Sequence, residues 1–580
     1  MGVFSRIALS GLYINLALGA VYNSVAELPT DVEFDFIVAG GGTAGPVIAS
    51  RLAENPDFQV LLVEAGGERY PLSNEGDINF VVPGFQRRLS SSYNWGFQTI
   101  GQTGLNGRTL NYARGKVLGG SSSTNGMVYN RGSAQDYNRW ANVTGDDGWK
   151  WENLLPSIKR GEKWVLPADG RSVDGAYNPD AHGYDGELLI TNFNTPPTDF
   201  DRRVQDNFNE EFPFCLDVND GNNIGACPTQ YTIGYGERSS AATAFVSTEH
   251  RNRPNFHVLL NTYVTRVLGT GDNALDFRTI EVAADSASPR QTIVASKEVV
   301  LSAGAFGSPQ ILLNSGIGPR EELEEVGVES VLDIPDVGKN LQDHPASFAM
   351  WLANGQPSPA VDEAEAFAQW QQNRSGPLTD PGSHYIVWSR IPANASIFQE
   401  YPDDQTAPGA PHIELAISGS GPTVAASVLL LNPASRGSVK IRSNNPFDPP
   451  VIDLGFLTHR YDILAFVEGI RSAWRYFAGD GFKDHVVAPI TANPDTTPLE
   501  EIEQQLRNGV GTTLHVSGSV AMSARGASNG VLDPDLKVKG ATGLRVADAS
   551  IMPYITTGHT VGAVYVIGER AADIIKADWS

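Results

Sequence analysis

Sulfur and positive charge are both scarce in this chain. Its 580 residues include 2 cysteines and 5 methionines. Two cysteines exclude a thiolate metal cluster and a fold that depends on several disulfides. Cys215 and Cys227 leave open either one local disulfide across the loop DVNDGNNIGA or two free buried thiols. Lys and Arg number 42 against 66 Asp and Glu, a formal net charge of −24. Because affinity for a polyphosphate rests on cations that neutralise it, no nucleic-acid partner is expected. There is no HxxxH or HExxH pattern to supply zinc ligands at useful spacing, and no metal is expected. Beyond the N-terminus, no apolar run is long enough to span a bilayer, so no membrane partner is expected either. Disorder from low complexity is excluded by a 41% hydrophobic and 19% charged composition, while 60 Gly and 36 Pro imply many loops.

The N-terminus reads MGVFSRIALSGLYINLALGAVYNSVAELP. One basic residue, Arg6, precedes an apolar run from Ile7 to Val21, and small residues follow around Ser24 and Ala26. This is the pattern of a secretory signal peptide, assigned to residues 1–26, and implies a secreted, extracellular protein. As a membrane anchor the run falls short of the roughly 20 residues needed. Sequons at Asn142-Val-Thr, Asn373-Arg-Ser and Asn394-Ala-Ser are compatible with glycosylation. The length suggests about two to four domains.

The segment DFIVAGGGTAGPVIASRLAENPDFQVLLVEAGG, from Asp35 to Gly67, holds every part of a dinucleotide-binding βαβ unit in order. Phe36 to Ala39 suits a buried parallel strand. Gly40, Gly42 and Gly45 supply a GxGxxG turn into a helical stretch from Ala44 to Glu54, and a second strand runs from Val60 to Val63. Glycine permits the tight turn and lets the backbone approach a pyrophosphate, whose charge meets the free N–H groups of the helix start. Glu64, 19 residues after Gly45, stands where a carboxylate accepts from both hydroxyls of an adenosine ribose.

Further along, ARGKVLGGSSSTNGMVYNRGS (Ala113 to Ser133) is a small-residue loop able to lie flat against a planar cofactor. FHVLLNTYVTRV predicts strand, turn and strand. VVLSAGAFGSPQILLNSGIG predicts a strand, a Gly-rich turn and a helix, with Ser308 as N-cap and Pro309 in the first turn. About Asp343 to Gln505 the runs suit an antiparallel sheet. GLRVADASIMP ends a strand at Asp548, and Val561 to Lys576 has helical spacing. Of ten histidines, two have informative surroundings. His515 lies in a small-residue segment, and His559 immediately precedes the last helix, whose dipole disfavours its cationic form. One GxSxG match, Gly526 to Gly530, lacks the preceding apolar strand of a hydrolase elbow.

RGKVLGGSSSTNGMVYNRGS resembles the first signature of the glucose-methanol-choline (GMC) flavoenzymes and GAFGSPQILLNSGIG the second. VGKNLQDHP (Val337 to Pro345) and VADASIMPYITTGHTVGAVYVIGERAADII resemble two further blocks, so the resemblance covers about Asp31 to the end. Within the family the chain is most similar to secreted fungal pyranose dehydrogenases and aryl-alcohol oxidases. The resemblance implies FAD as cofactor, with Gly40, Gly42, Thr43, Ala44, Gly45, Glu64, Gly119, Asn125, Gly126, Met127, Val128, Val264 and Asp548 as its contacts. It places the catalytic histidine pair on His515 and His559, and makes Tyr93 and Leu514 candidates for the substrate channel. Two departures stand out. Thr124 occupies the position of the histidine that bonds flavin covalently in pyranose dehydrogenases, so noncovalent FAD is expected. Val516 follows His515 where the family often has proline.

The expected fold is α/β: a discontinuous Rossmann-type FAD domain (residues 31–100, 235–335 and 535–580) and a substrate domain on an antiparallel sheet with helices (101–234 and 336–534). The expected activity is oxidation of sugar hydroxyls with electrons passed to a quinone. Aryl-alcohol oxidation with O2, yielding H2O2, is the alternative, and a nonenzymatic flavin-binding protein a remote third. The expected partners are a small-molecule alcohol or sugar and a quinone or O2 acceptor, and the expected state is a monomer.

Overall fold

The computed structural model describes residues 20–68, 77–355 and 361–580. Most of the apolar N-terminal run assigned to a signal peptide, residues 1–19, lies outside the described residues. The rest of that span does not: Val21–Tyr22 forms a strand paired in parallel with Phe256–Leu259.

The α/β expectation holds. One sheet is ordered Val21–Tyr22, Phe256–Leu259, Val60–Val63, Phe34–Ala39 and Gln291–Leu301, all parallel, with Leu544–Val546 added beside the end of Gln291–Leu301. These short apolar runs are buried on both faces, as strands between helical layers must be. The start of Gln291–Leu301 turns to pair antiparallel with Thr279–Ala283, which pairs in turn with Tyr263–Leu268. The predicted first helix is Ala44–Leu52, entered from the glycine turn. A Cβ on Gly45 would stand 1.9 Å from the Gly40 carbonyl oxygen, so only glycine lets this helix start so close to the strand.

The C-terminal helix Val561–Trp579 packs on Ala44–Leu52, where a Cβ on Gly568 would approach Val47 to 2.9 Å. The buried Arg51–Glu569 ion pair fastens the two helices. Chain ends 518 residues apart therefore build one dinucleotide half.

The helix Gly304–Asn314 corrects one expectation. Its N-cap is Ala303, and Pro309 lies inside it rather than in its first turn. Pro309 cannot donate to the Ala305 carbonyl, and the Ser519 hydroxyl does so instead at 2.6 Å. Ser308 is freed from capping and donates to Asp548.

The second sheet is antiparallel, ordered Val486–Pro489, Pro345–Ala353, Thr423–Leu430, Ile413–Ser420, Tyr385–Ser389 and Gly225–Pro228, with Gly511–Thr512 also on Pro345–Ala353. Ile413, Leu415 and Ile417 belong to the core shared with helix Arg460–Phe477. Strand alternation then sends Glu414 to the opposite face. Cys215 and Cys227 are joined in a disulfide, which closes the alternative of free thiols.

Candidate active site

A cavity of about 720 Å³ is lined by residues of both halves. At one end it meets Gly40, Gly42, Thr43, Ala44 and Glu64, and at the other His515 and His559. Thr124, Asn125, Gly126, Val128, Val264 and Asp548 line it as well. The glycine turn is shaped by close approach. Gly40 has φ +117°, and a Cβ there would stand 2.3 Å from the Ser302 carbonyl oxygen. The Gly119 N–H donates to the Gly41 carbonyl at 2.7 Å, and a Cβ on Gly120 would be 2.7 Å from the Gly42 Cα. The small-residue loop is thus laid glycine against glycine on the dinucleotide turn. Glu64 accepts from the N–H groups of Gly41 (2.8 Å) and Gly66 (2.7 Å). Burial nevertheless pushes its carboxyl up to about 7.

Four of the sequence-derived residues do not line the cavity. Gly45 and Gly119 shape its backbone, as described. Met127, at φ +62° and fully buried, packs with Phe193, Tyr231 and Ile233. Tyr93 ends a short 3-10 turn that sets its ring against Phe80 at 4.8 Å, while its neighbours Ser92, Asn94 and Trp95 face the cavity.

At the far end, His515 and His559 have ring centroids 4.7 Å apart. The loop carrying His515 is held at almost every polar atom. The Asp343 carboxylate accepts from the His515 N–H (2.8 Å), the Tyr112 hydroxyl (2.9 Å) and the Thr512 hydroxyl. Arg114 donates to the Leu514 carbonyl at 2.6 Å. Leu514, which does line the cavity, sits at φ +65°, a strained conformation for a leucine that these bonds enforce. Val516 departs from the family's proline, and its N–H donates to the Tyr112 hydroxyl at 3.0 Å, a bond that proline could not make.

His559 is oriented by a residue the sequence reading passed over. Its Nε2 lies 2.9 Å from Oε1 of Glu414, which is fully buried. A carboxylate only accepts, so Nε2 carries the proton of that bond. The other neighbour missed was His344, whose Nδ1 is 3.0 Å from Nδ1 of His515. Burial, with His559 and His344 nearby, holds His515 well below the ordinary imidazole range. Burial lowers His344 to about 3 and raises Asp343 to about 6. Both Asp343 and His344 fall in VGKNLQDHP, a block recognised as a block but not read residue by residue. Glu414 had a signal too: a charge inside the apolar strand HIELAIS.

A nucleotide turn opening into a cavity that ends in two histidines defines a dinucleotide-dependent oxidoreductase. A GMC oxidoreductase family profile for the N-terminal part matches residues 34–346, and one for the C-terminal part matches 433–568. The chain belongs to the GMC oxidoreductase family. It is 41% identical to pyranose dehydrogenase 3 of Leucoagaricus meleagris over 99% of this chain and 98% of that protein. Formate oxidase of Aspergillus oryzae RIB40 superposes with a TM-score of 0.84 at 28% identity, covering 95% of this chain and 99% of that one. A fungal aryl-alcohol oxidase shares the fold, with a TM-score of 0.78 at 24% identity over 94% of this chain and 99% of that one. The protein is an FAD-dependent oxidoreductase acting on CH–OH groups. The residues present fit the cofactor: a glycine cradle that tolerates no Cβ on Gly40, a buried carboxylate for the ribose, and a cavity long enough to join both to the histidines.

Proposed function

We propose that the protein is a secreted sugar dehydrogenase that oxidises a pyranose or oligosaccharide hydroxyl and passes the electrons to a quinone. The observation that carries this reading is the His515–His559 pair at the cavity end, in a chain 41% identical to a pyranose dehydrogenase. His515 accepts the hydroxyl proton of the substrate. The Glu414 carboxylate holds the His559 ring by Nε2, so that its Nδ1 edge is the one left to hydrogen-bond the same substrate oxygen. The flavin, when bound, supplies the acceptor for the hydride that leaves the carbinol carbon.

Polar and aromatic side chains both line the cavity. Trp95, Tyr263 and Phe447 line it, with Trp95 edge-on to Tyr263 and Phe447 tilted against the same ring, and Tyr263 shares its strand with Val264. Beside the histidines, Arg114, Thr513 and Thr560 offer polar groups to the cavity, while Leu514, Val516 and Val561 are apolar and Phe306 packs on Tyr112.

The flavin is held without a covalent bond in this reading, because Thr124 lines the cavity where the family's attached histidine would stand. Acid precipitation should release FAD into the supernatant, and yellow colour kept in the pellet would refute this. The protein acts as a monomer. In this reading residues 1–26 carry a secretory leader that is cleaved. N-terminal sequencing of the secreted protein checks that cleavage. A steady-state screen of monosaccharides, oligosaccharides and benzylic alcohols, with O2 and with benzoquinone as acceptor, tests the activity. Sugar turnover with benzoquinone is expected. Peroxide formed from aryl alcohols without sugar turnover would overturn the assignment.

A further inference from the structure

His515 can serve as a base only if the ring nitrogen facing substrate is bare, and a neutral imidazole has two tautomers. We propose that His344 and Thr513 select the useful one, fixing the proton of His515 on Nδ1 and leaving Nε2 bare on the ring that lines the cavity. The inference rests on the assignment of His515 as the base.

Three contacts carry it. Nδ1 of His515 lies 3.0 Å from Nδ1 of His344 and 3.0 Å from Oγ1 of Thr513. Two bare nitrogens at that distance would oppose their lone pairs, and two N–H groups would collide, so one donates and the other accepts. The side chain of His344 is buried, and its Nε2 makes no close hydrogen bond. The acceptors that face its ring are the backbone carbonyls of Leu431 and Thr556. Carbonyls only accept, and Nδ1 is already turned to His515, so the single proton of a neutral His344 belongs on Nε2. Its Nδ1 is then an acceptor, and His515 must be the donor.

Thr513 points the same way. Its hydroxyl donates to the His344 carbonyl at 2.8 Å, which leaves Oγ1 with lone pairs alone to offer His515. One N–H on His515 Nδ1 thus meets two acceptors. The charged and titratable groups around His515 are His344, His559, Arg114 and Asp343, the last reached through the backbone N–H. Arg114 and Asp343 bind the backbone of the loop, whereas His344 and Thr513 are the only groups bonded to the ring among the described residues. His344 and Thr513 are therefore positioning residues.

The test pairs a direct readout with a rescue. Long-range 1H–15N spectra of holoenzyme labelled with 15N-histidine should show His515, assigned by loss of its signals in His515→Ala, with Nδ1 protonated and Nε2 bare at neutral pH. A His515 protonated on Nε2 overturns the proposal. In anaerobic mixing with substrate, His344→Leu and Thr513→Val should each slow flavin reduction at least tenfold at saturating substrate. His344→Asn and Thr513→Ser, which keep an acceptor, should recover most of the rate. Leucine and asparagine variants that reduce flavin equally fast, with melting and flavin absorbance unchanged, would also overturn it. Full flavin reduction in His515→Ala would refute the base assignment itself, a separate result.

Discussion

Glu64 and Glu414 show how single buried carboxylates divide the work. Burial outweighs two backbone N–H bonds at Glu64 and lifts it from 4.5 to about 7. An acid raised on folding lends stability below its unfolded value, and that stability is lost as pH rises through about 7. FAD-free protein should therefore melt lower at pH 8 than at pH 5.5, and Glu64→Gln should shrink this difference while weakening FAD binding. Calorimetry at both pH values and an FAD titration check both parts. Among the described residues the Glu414 side chain bonds only Nε2 of His559, and its buried Oε2 has no partner. Glu414→Gln keeps an acceptor and should slow flavin reduction about tenfold, whereas Glu414→Leu should slow it further by leaving the ring unoriented. Stopped-flow absorbance of the flavin measures both. At this scale the sequence revealed what a motif names, such as Glu64, His515 and His559. It concealed Glu414, His344 and Thr513, whose importance comes from contacts between residues 145, 171 and 2 positions from their partners.

Among the elements, the βαβ unit was legible because one short stretch carries its turn, helix and both strands. The helix Gly304–Asn314 was displaced in the sequence reading because proline usually marks a helix start, and the Ser519 hydroxyl that makes Pro309 tolerable comes from a distant segment. Tyr93 is turned by local geometry: the 3-10 turn Ser91–Tyr93 sets its ring against Phe80 while Ser91, Ser92, Asn94 and Trp95 line the cavity. A clip between elements has a pH signature. Burial lowers His384, but hydrogen bonds to Asp201 and Asp380 overcome it and raise the ring to about 9. The imidazolium ties the start of helix Asp199–Asp206 to strand Tyr385–Ser389. Stability from a raised histidine is fully present below 6.5 and lost as pH rises through about 9. Hydrogen exchange in residues 193–206 should thus accelerate between pH 8 and 10, and His384→Gln should show fast exchange throughout.

Over the whole molecule, the dinucleotide half closes only when the last helix returns to the first. The return was legible from the style of the C-terminal segment, but its fastening was not. Arg51 is paired with Glu569 and also with Glu187, and Glu569 with Arg160. Glu569→Ala leaves a buried guanidinium with Glu187 and Glu54 as remaining acceptors and should cost about 3 kcal/mol, read by urea unfolding of the holoprotein. The same architecture brings His515 and His559 from the C-terminal third to a cavity begun by Gly40. That juxtaposition is the basis of the claim that a histidine base drives alcohol oxidation. Rapid anaerobic mixing of FAD-loaded His515→Ala with a sugar substrate tests it most directly. The account predicts flavin reduction slowed by at least about 100-fold with FAD still bound, and reduction at the wild-type rate would contradict it.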